Sequence, residues 1–227
     1  NYFEYDGQKR AVLEKVSGGS RTYQFARSVS SFAPPAADNF NQWAAKTVET
    51  LPDGTRNIVF TNHAGQVMLK VFTSADGTQQ WCRYNRYDGR SRVVLSAEPS
   101  AFKQVNGQYY DESKPDLLDY NAATGQFKYL HDTQGLIQLS EYYPDTNPPA
   151  EGAPGYLKSR KLQQGALGTA IRLKDWEYTS RTAQGQTIYL VRKETCYPSA
   201  SDQLLQIECT IYGYTWQGTT LQMDERT

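Results

Sequence analysis

Long apolar runs are missing from this chain of 227 residues, whose mean hydropathy is −0.70. No stretch approaches the roughly 18 uninterrupted apolar residues that a membrane-spanning helix needs. Only 38% of the residues are hydrophobic, and seventeen Tyr and four Trp outnumber eight Phe. Tyrosine and tryptophan pack a ring while leaving a polar edge in water. The composition therefore excludes membrane insertion by a helix of this segment and favours a sheet with one solvated face.

An excess of one charge is also absent, because 24 basic residues balance 24 acidic residues. A neutral chain lacks the basic patch with which proteins bind nucleic acid or an anionic membrane, so neither partner is expected. Three cysteines are too few for a disulfide framework. Cys196 and Cys209 flank a turn-like segment and could face each other across a hairpin in an oxidising compartment. Buried thiols are the preferred interpretation of all three cysteines.

The motifs of common catalytic and metal sites are missing as well. No Gly-x-Ser-x-Gly, Walker or Gly-x-Gly-x-x-Gly motif occurs. The two histidines have no second ligand at a suitable spacing and are interpreted as exposed turn residues. Four acids of one loop lack the tight spacing of a calcium cage and are expected to be solvated. These six residues are His63, His131, Asp111, Glu112, Asp116 and Asp119.

We therefore expect no enzymatic activity, no cofactor and no bound metal. A pair of carboxylates of the glycosidase type stays open as an alternative, because the separation of two carboxylates in space cannot be read from a sequence.

What the chain does contain is a recurring hairpin pattern, clearest between Trp81 and Leu95. Two short runs rich in Trp, Tyr and Val flank the pair Asp88-Gly89. Asp-Gly between β-favouring runs predicts a type I′ turn, which needs positive φ at its two central residues. Elsewhere Val67, Leu69 and Val71 follow a period of two, which indicates a strand rather than a helix.

Turn glycines recur in the middle of the chain at a nearly constant spacing of 11, 12 and 12 residues, at Gly54, Gly65, Gly77 and Gly89. Asp53 and Asp76, each just before one of these glycines, lie 23 residues apart. A fixed period of this size predicts a repeat array. The copy that begins at Asp53 aligns with the copy that begins at Asp76, so that the inner glycine Gly65 corresponds to Gly89. The second copy is one residue longer before its inner glycine, which predicts a bulge there.

The remaining segments are predicted as further strands and loops. Strands are expected at 2–16 as a first hairpin, and at 21–25, 43–49, 127–130, 136–139, 170–179, 186–196 and 204–216. Loops are expected at 32–41, 98–119 and 143–156. We interpret residues 1–227 as a single β-repeat segment of a longer protein. Within it, residues 1–142 form short hairpins, residues 143–156 form a proline-rich loop or linker, and residues 157–227 form hairpins with longer strands.

The hairpin pattern resembles the YD repeat of RHS proteins, in which Tyr-x-x-Tyr-Asp and a nearby Gly and Arg join two short strands. Three copies carry the resemblance: one with Tyr84, Tyr87, Asp88 and Gly89, one with Tyr5, Asp6 and Gly7, and one with Tyr129, Asp132 and Gly135. The resemblance covers roughly residues 50–142. The family often has Gly-Arg-Leu after the Asp, whereas Asp and Gly are adjacent in two copies here, so the turn type and register stay open.

This resemblance implies antiparallel hairpins that wind side by side into a curved or spiral sheet and close into a hollow shell. In bacterial toxins of the family the shell encloses a cytotoxic polypeptide, and in animal relatives it belongs to a cell-surface adhesion receptor. We therefore expect a non-catalytic structural wall, extracellular or at the surface of a bacterial cell. Its partners would be the rest of the parent polypeptide, or other copies through sheet edges. The Asp-Pro signature of the family's autoprotease is absent.

A carbohydrate-binding β module is the alternative function. Trp81, Tyr84 and Tyr87, or Trp176 and Tyr178, could form a strip on which sugar rings stack, with glycans as partners. Cross-strand packing is the preferred explanation of these aromatic residues, since such pairs stabilise a sheet by about 0.2–1 kcal/mol each.

Overall fold

The computed structural model describes residues 1–183, 185–198, 208–217 and 220–226. Strands account for 54% of the residues and helix for 3%, and the strands pair antiparallel, which confirms the predicted all-β class. The chain divides into two compact units. The first comprises Asn1–Ile137 and Gln164–Gly168, and the second comprises Gln138–Gln163 and Thr169–Thr227.

The first unit is a series of short strands that follow one another in the sheet in chain order. They are β1 (Tyr2–Tyr5), β2 (Ala11–Val16), β3 (Arg21–Val29), β4 (Trp43–Thr50), β5 (Arg56–Asn62), β6 (Val67–Thr73), β7 (Gln80–Tyr87) and β8 (Val93–Ala97). The predicted first hairpin and the predicted strands at 21–25 and 43–49 are confirmed. Two 3₁₀ turns occur in this unit, at Ser17–Gly19 and Pro99–Ala101.

Alternation along these strands separates a buried face from an open one. In β6, Leu69 and Val71 are buried while Lys70 and Phe72 are exposed. Met68 is buried as well, against the simple alternation, because the register with β5 shifts beside it. Because Met68 is the extra residue of this bulge, the consecutive side chains of Met68 and Leu69 can both point to the buried face.

Residues 98–135 pack on the buried face of the sheet and include a two-stranded ribbon, β9 (Tyr120–Asn121) with β10 (Gln126–Phe127). Trp43 of β4 donates its indole N–H to the Lys114 carbonyl, and the ring of Tyr84 on β7 lies edge-on to Phe127. The loop predicted at 98–119 is confirmed. The strand predicted at 127–130 is wrong beyond Phe127, because residues 128–129 form a turn.

The remaining strands are β11 (Leu136–Tyr142), β12 (Leu157–Gln164), β13 (Ala170–Ala183), β14 (Gln186–Cys196), β15 (Glu208–Gln217) and β16 (Thr220–Arg226). Apart from the first two residues of β11 and the last residue of β12 they belong to the second unit, and β13, β14 and β15, with 14, 11 and 10 residues, are longer than any strand of the first unit. The strand predicted at 186–196 is confirmed as β14. Of the strand predicted at 204–216, residues 204–207 lie outside the described residues, as does most of the turn before them.

The proline-rich segment 143–156 contains no strand and packs on β13 within the second unit. The Tyr143 hydroxyl donates to the Trp176 carbonyl, and the Tyr178 amide donates to the Glu151 carbonyl. Tyr143, Ala153 and Tyr178 form a buried cluster there. The segment is therefore an ordered loop rather than an extended linker. In the described part of the chain, no helix is long and apolar enough to cross a membrane.

Candidate functional site

Three hairpins of the first unit share one loop geometry. The loops join β1 to β2, β5 to β6 and β7 to β8, and each begins with an Asp or Asn whose own amide donates to the carbonyl four residues later. The residue three positions after it has a positive φ and donates its amide back to the first carbonyl. The first, positive-φ and last residues are Asp6, Lys9 and Arg10; Asn62, Gly65 and Gln66; and Asp88, Ser91 and Arg92. This is a three-residue loop that ends in a left-handed residue.

The first side chain of each loop organises the backbone. The Asp88 carboxylate accepts the amides of Arg90 at 2.9 Å and Arg92 at 3.0 Å, and pairs with the Arg92 guanidinium at 2.8 Å. Asp6 makes the same set of bonds to Gln8 and Arg10. In such Asx turns the side-chain oxygen accepts a backbone amide two residues on, in the role that a carbonyl oxygen has in a backbone turn.

The pKa of the Asp88 carboxyl is lower than that of an ordinary aspartate. Burial raises the pKa of the carboxyl, but the Arg92 amide and guanidinium outweigh that effect. The carboxylate is therefore the form that the folded loop stabilises.

The predicted type I′ turn at Asp88-Gly89 is wrong, and Asp6-Gly7 does not form one either. Neither Gly7 nor Gly89 has a positive φ, whereas Lys9 and Ser91 have φ of 62°. In these loops the residue with positive φ is the third after the Asp or Asn. The glycine directly after the Asp is therefore not at the position that requires a left-handed backbone. Gly65, with φ of 77°, is the glycine that occupies it. The predicted alignment of Gly89 with Gly65 is therefore shifted by two residues.

A bulge follows each of these loops at the same place. Opposite β1, β5 and β7, the second strand of the hairpin carries one extra residue, and these residues are Val12, Met68 and Val94. The bulge predicted before Gly89 is therefore wrong in its place, because the extra residue of that hairpin, Val94, comes after Gly89 on β8, while the paired part of β7 with β6 shows no register shift. Bulges of this kind bend a strand and increase its twist.

The loops at the opposite end of the strands account for the 23-residue offset. Gly54 and Gly77 have φ of 83° and 76°, and each follows an Asp that binds the backbone and hydroxyl of a threonine two residues on. The Ser74 hydroxyl lowers the pKa of Asp76, and the Thr55 hydroxyl lowers that of Asp53. The Asp-Gly pairs at 53 and 76 thus hold equivalent positions in two turns.

The third copy of the repeat does not form a hairpin. Tyr129 is buried but lies in a turn, and Leu130 makes only an isolated bridge with Phe102. Gly135, three residues after Asp132, has φ of 80°, and a Cβ there would lie 2.2 Å from the backbone of Ala101. This glycine permits a close approach of two backbone segments.

A partly buried polar network joins the segment 98–135 to the sheet. The Asp116 carboxylate accepts the Tyr84 hydroxyl at 3.2 Å and the Arg86 guanidinium at 2.6 Å. The guanidinium also lies 3.8 Å from the centre of the Tyr120 ring. Burial, and then the charge of Asp116, raise the pKa of Tyr84 far above its usual range. The sequence interpretation missed this network, because a loop acid and a strand tyrosine 32 residues apart share no local pattern.

The aromatic strip at Trp81, Tyr84 and Tyr87, which the sequence allowed as an alternative to packing, does not form on one face. Tyr84 is fully buried on the inner face, and Tyr87 is only 6% exposed. Trp81 is 45% exposed on the outer face beside Phe72, with ring centroids 5.6 Å apart. These two rings and neighbouring residues line a shallow groove of about 490 Å³.

Trp176 and Tyr178 of the second unit are held by packing and hydrogen bonds. The Trp176 indole donates to the Glu194 carboxylate at 2.9 Å, and the Tyr178 hydroxyl donates to the Leu157 carbonyl at 2.8 Å. Tyr178 is 6% exposed, and its ring lies edge-on to those of Tyr143 and Tyr156. The preferred interpretation of Tyr178 as a packing residue fits this environment.

Within the described residues, no group of three or more His, Cys, Asp and Glu side chains could hold a metal ion. His63 is exposed and stacks on Phe40, whereas His131 is half-buried. Asp116 and Glu112 are not freely solvated, because they pair with Arg86 and Lys46.

All three cysteines are free thiols. Cys209 is paired in register with Thr195, while Cys196 is paired with Glu208, so the two cysteines do not face each other. Adjacent positions of a strand point to opposite faces of the sheet. The expectation that all three are buried is wrong for Cys209, which is exposed, and holds for Cys82, whose pKa burial raises to about 12.

Comparison with known proteins returns no matching family model and no matching curated protein. Among solved structures, the chain is similar to the crystal structures of TcdB2-TccC3 and TcdB2-TccC3-TEV, at 14% and 15% identity and a TM-score of 0.31 in both cases. The matches cover 92% and 96% of this chain but only 13% and 12% of those chains. A likeness of this size establishes neither a family nor a function.

Proposed function

We propose that this chain is a non-catalytic structural segment of RHS/YD type. It would form part of the wall of a secreted or cell-surface β-shell that encloses or displays another polypeptide of the same protein. The observation that carries the proposal is the repetition of one hairpin design, with the same Asx-started loop and the same following bulge in three hairpins of the first unit.

Repetition of this kind suits a wall better than a binding module. One hairpin cannot bury its own face, whereas neighbours side by side satisfy each other's backbone groups. In the first unit each strand from β2 to β7 is hydrogen-bonded to the strand before it and the strand after it. The Asp and Asn side chains that begin the loops bind the backbone of their own loops, which is a structural role.

The proposal is tested by protease protection of the enclosed polypeptide in the full-length parent protein. We expect that polypeptide to survive digestion in the wild type and in Gln104→Ala, an exposed control. Asp116→Ala removes the link between Arg86 and the loop and should open the wall, so that the enclosed polypeptide is cut. Equal digestion of the wild type and Asp116→Ala at every protease concentration would count against an enclosing wall.

A glycan-binding surface is the second candidate, and one observation favours it. Phe72 and Trp81 lie side by side on the outer face of the first unit, 40% and 45% exposed. Lys70 and Arg83 border them on the same groove. Aromatic rings flanked by polar groups are what a sugar ring can stack on and hydrogen-bond to.

A glycan array distinguishes this candidate from the wall. If the groove binds sugars, Trp81→Ala should abolish the hits, while Trp176→Ala should keep them because that indole is tied to Glu194. An array without hits, or hits that are indifferent to Trp81→Ala, removes the candidate.

A further inference from the structure

In two of the three bulged hairpins, the carbonyl that opens the second strand is bound by a side chain of the next strand. Val67 is the first residue of β6, and its carbonyl accepts the Tyr87 hydroxyl at 2.7 Å and the Asn85 amide at 3.2 Å, both from β7. The bulge interrupts the regular ladder beside this carbonyl. Tyr87 is buried by the contact, and burial raises its pKa.

The first hairpin repeats this arrangement with a different donor. Ala11 is the first residue of β2 and holds the position of Val67. Its carbonyl accepts the Arg27 guanidinium of β3 at 2.8 Å. In both cases a long side chain reaches back from the following strand to the carbonyl at the bulge, so the contact fixes one hairpin to its successor.

Tyr5 holds the same position in β1 as Tyr87 holds in β7. Each immediately precedes the Asp of its loop, and each is paired with the first residue of the following strand. Yet Tyr5 is 62% exposed, and its hydroxyl has no hydrogen-bond partner among the described residues. β1 is the first strand in the sheet order, so its outer edge carries no neighbouring strand in the described structure.

We propose that the outer edge of β1 binds the second strand of another bulged hairpin of the parent polypeptide, and that the Tyr5 hydroxyl donates to the first carbonyl of that strand. This inference rests on the proposed wall function and names the residue that would join this segment to its neighbour. In a second copy of this chain, the Ala11 and Val67 carbonyls, which follow the first and second of these loops, are already bound and would not accept the Tyr5 hydroxyl.

The test adds the missing neighbour to the chain. A second copy of residues 56–82 is fused directly before Asn1, which places Tyr5 where Tyr87 follows the original hairpin. A matched control extension lacks the copied Met68 and therefore has no bulge. Amide hydrogen exchange of β1 and urea-unfolding midpoints are then measured under reducing conditions for Tyr5→Phe and Tyr87→Phe in the original chain and in both extended chains.

In the bulged extension we expect the exchange of β1 amides to slow at least tenfold. Tyr5→Phe should lower the urea midpoint there by about as much as Tyr87→Phe does, while leaving the midpoint of the original chain and of the bulge-free extension unchanged. β1 amides that stay unprotected in the bulged extension, or a Tyr5→Phe midpoint shift that is the same in all three chains, overturn the inference. Either failure leaves the wall proposal to be judged by the protease experiment on the parent protein.

Discussion

Asp116 joins a long loop to the sheet through two side chains of β7, Tyr84 and Arg86. The carboxylate and the guanidinium are each only about one-fifth exposed, at 20% and 22%, so water solvates neither of them fully. Because the pair is partly buried, removing one partner leaves the other charge without compensation. The network is therefore a better candidate for a stabilising contact than the exposed ion pairs of the same loop.

Replacing Asp116 by Asn should lower the free energy of unfolding by about 2 kcal/mol, because Arg86 loses its ionic partner while the shape of the side chain is kept. Urea denaturation followed by tryptophan fluorescence measures the change. Asp119→Asn is the matched control: its contacts with Lys114 and Lys128 are 3.8 and 4.0 Å long and exposed, so it should change stability by less than about 0.5 kcal/mol. Similar losses of unfolding free energy in both variants would show that the network stabilises the protein no more than the exposed ion pairs do.

The stability of the third hairpin, β7–β8, should depend on pH through Asp88. Its folded pKa lies below the usual value of 3.8, so its stabilising effect is complete above that value and is lost as the pH falls through the folded pKa. Asp88→Asn keeps the amide acceptor, as Asn62 does in the second hairpin, but loses the ion pair with Arg92. We expect a loss of about 0.5–1 kcal/mol at pH 7.

The difference between wild type and Asp88→Asn should shrink from pH 5 to pH 2, as urea denaturation at fixed pH values would show. Comparing the two proteins at each pH cancels the titration of the other acids. A difference that stays constant over this range would mean that the carboxylate charge contributes nothing to the loop.

At the scale of the hairpin, the position of positive φ is what distinguishes the observed loop from a type I′ turn. Gly65 is left-handed with open space around it, whereas Gly89 has an ordinary φ and its nearest neighbour, Asp38, lies 3.7 Å from a Cβ. A side chain at Gly65 meets no atom, so its cost would be that of the left-handed backbone alone.

Gly65→Ala should therefore destabilise the protein by about 1 kcal/mol, and Gly89→Ala by less than about 0.5 kcal/mol. Ser91→Gly should raise stability slightly, since it relieves the left-handed serine at the position equivalent to Gly65. Thermal unfolding of the three variants is the measurement. A type I′ turn at Asp88-Gly89 would instead make Gly89→Ala about as costly as Gly65→Ala, because Gly89 would then need a positive φ.

The same hairpins show which parts of the fold follow from sequence. Strand positions did, because a period of two and turn residues are local signals, and the strand predicted at 186–196 matches β14. Loop type did not follow, because the Asp88 side chain selects a longer loop and places a serine in the left-handed position. Nor did the contact of Tyr84 with Asp116, which depends on how residues 98–135 return across the sheet. The inward side chain of Met68 could only be explained once the bulge was known.

At the scale of the whole first unit, its first strand presents an open edge. Tyr2, Phe3 and Tyr5 of β1 are 56%, 40% and 62% exposed, and the rings of Phe3 and Tyr5 are in contact. Unpaired backbone groups beside apolar side chains favour pairing with another strand. If the edge normally binds a further hairpin, the isolated chain should use it for weaker association between copies.

Sedimentation velocity over a range of concentrations should therefore show self-association of the isolated chain, and Phe3→Lys should suppress it, since a charged side chain on an edge strand opposes strand pairing. Val29→Lys is the matched control, because Val29 is 79% exposed but lies on β3, an inner strand of the sheet order, where it is paired with Ala45 of β4. Suppression by both variants would point to general charge repulsion, and suppression by neither would place the contact away from β1. Suppression by Phe3→Lys alone would show that copies associate through the outer edge of β1. This is the same edge at which we propose that the Tyr5 hydroxyl binds the carbonyl of a neighbouring hairpin.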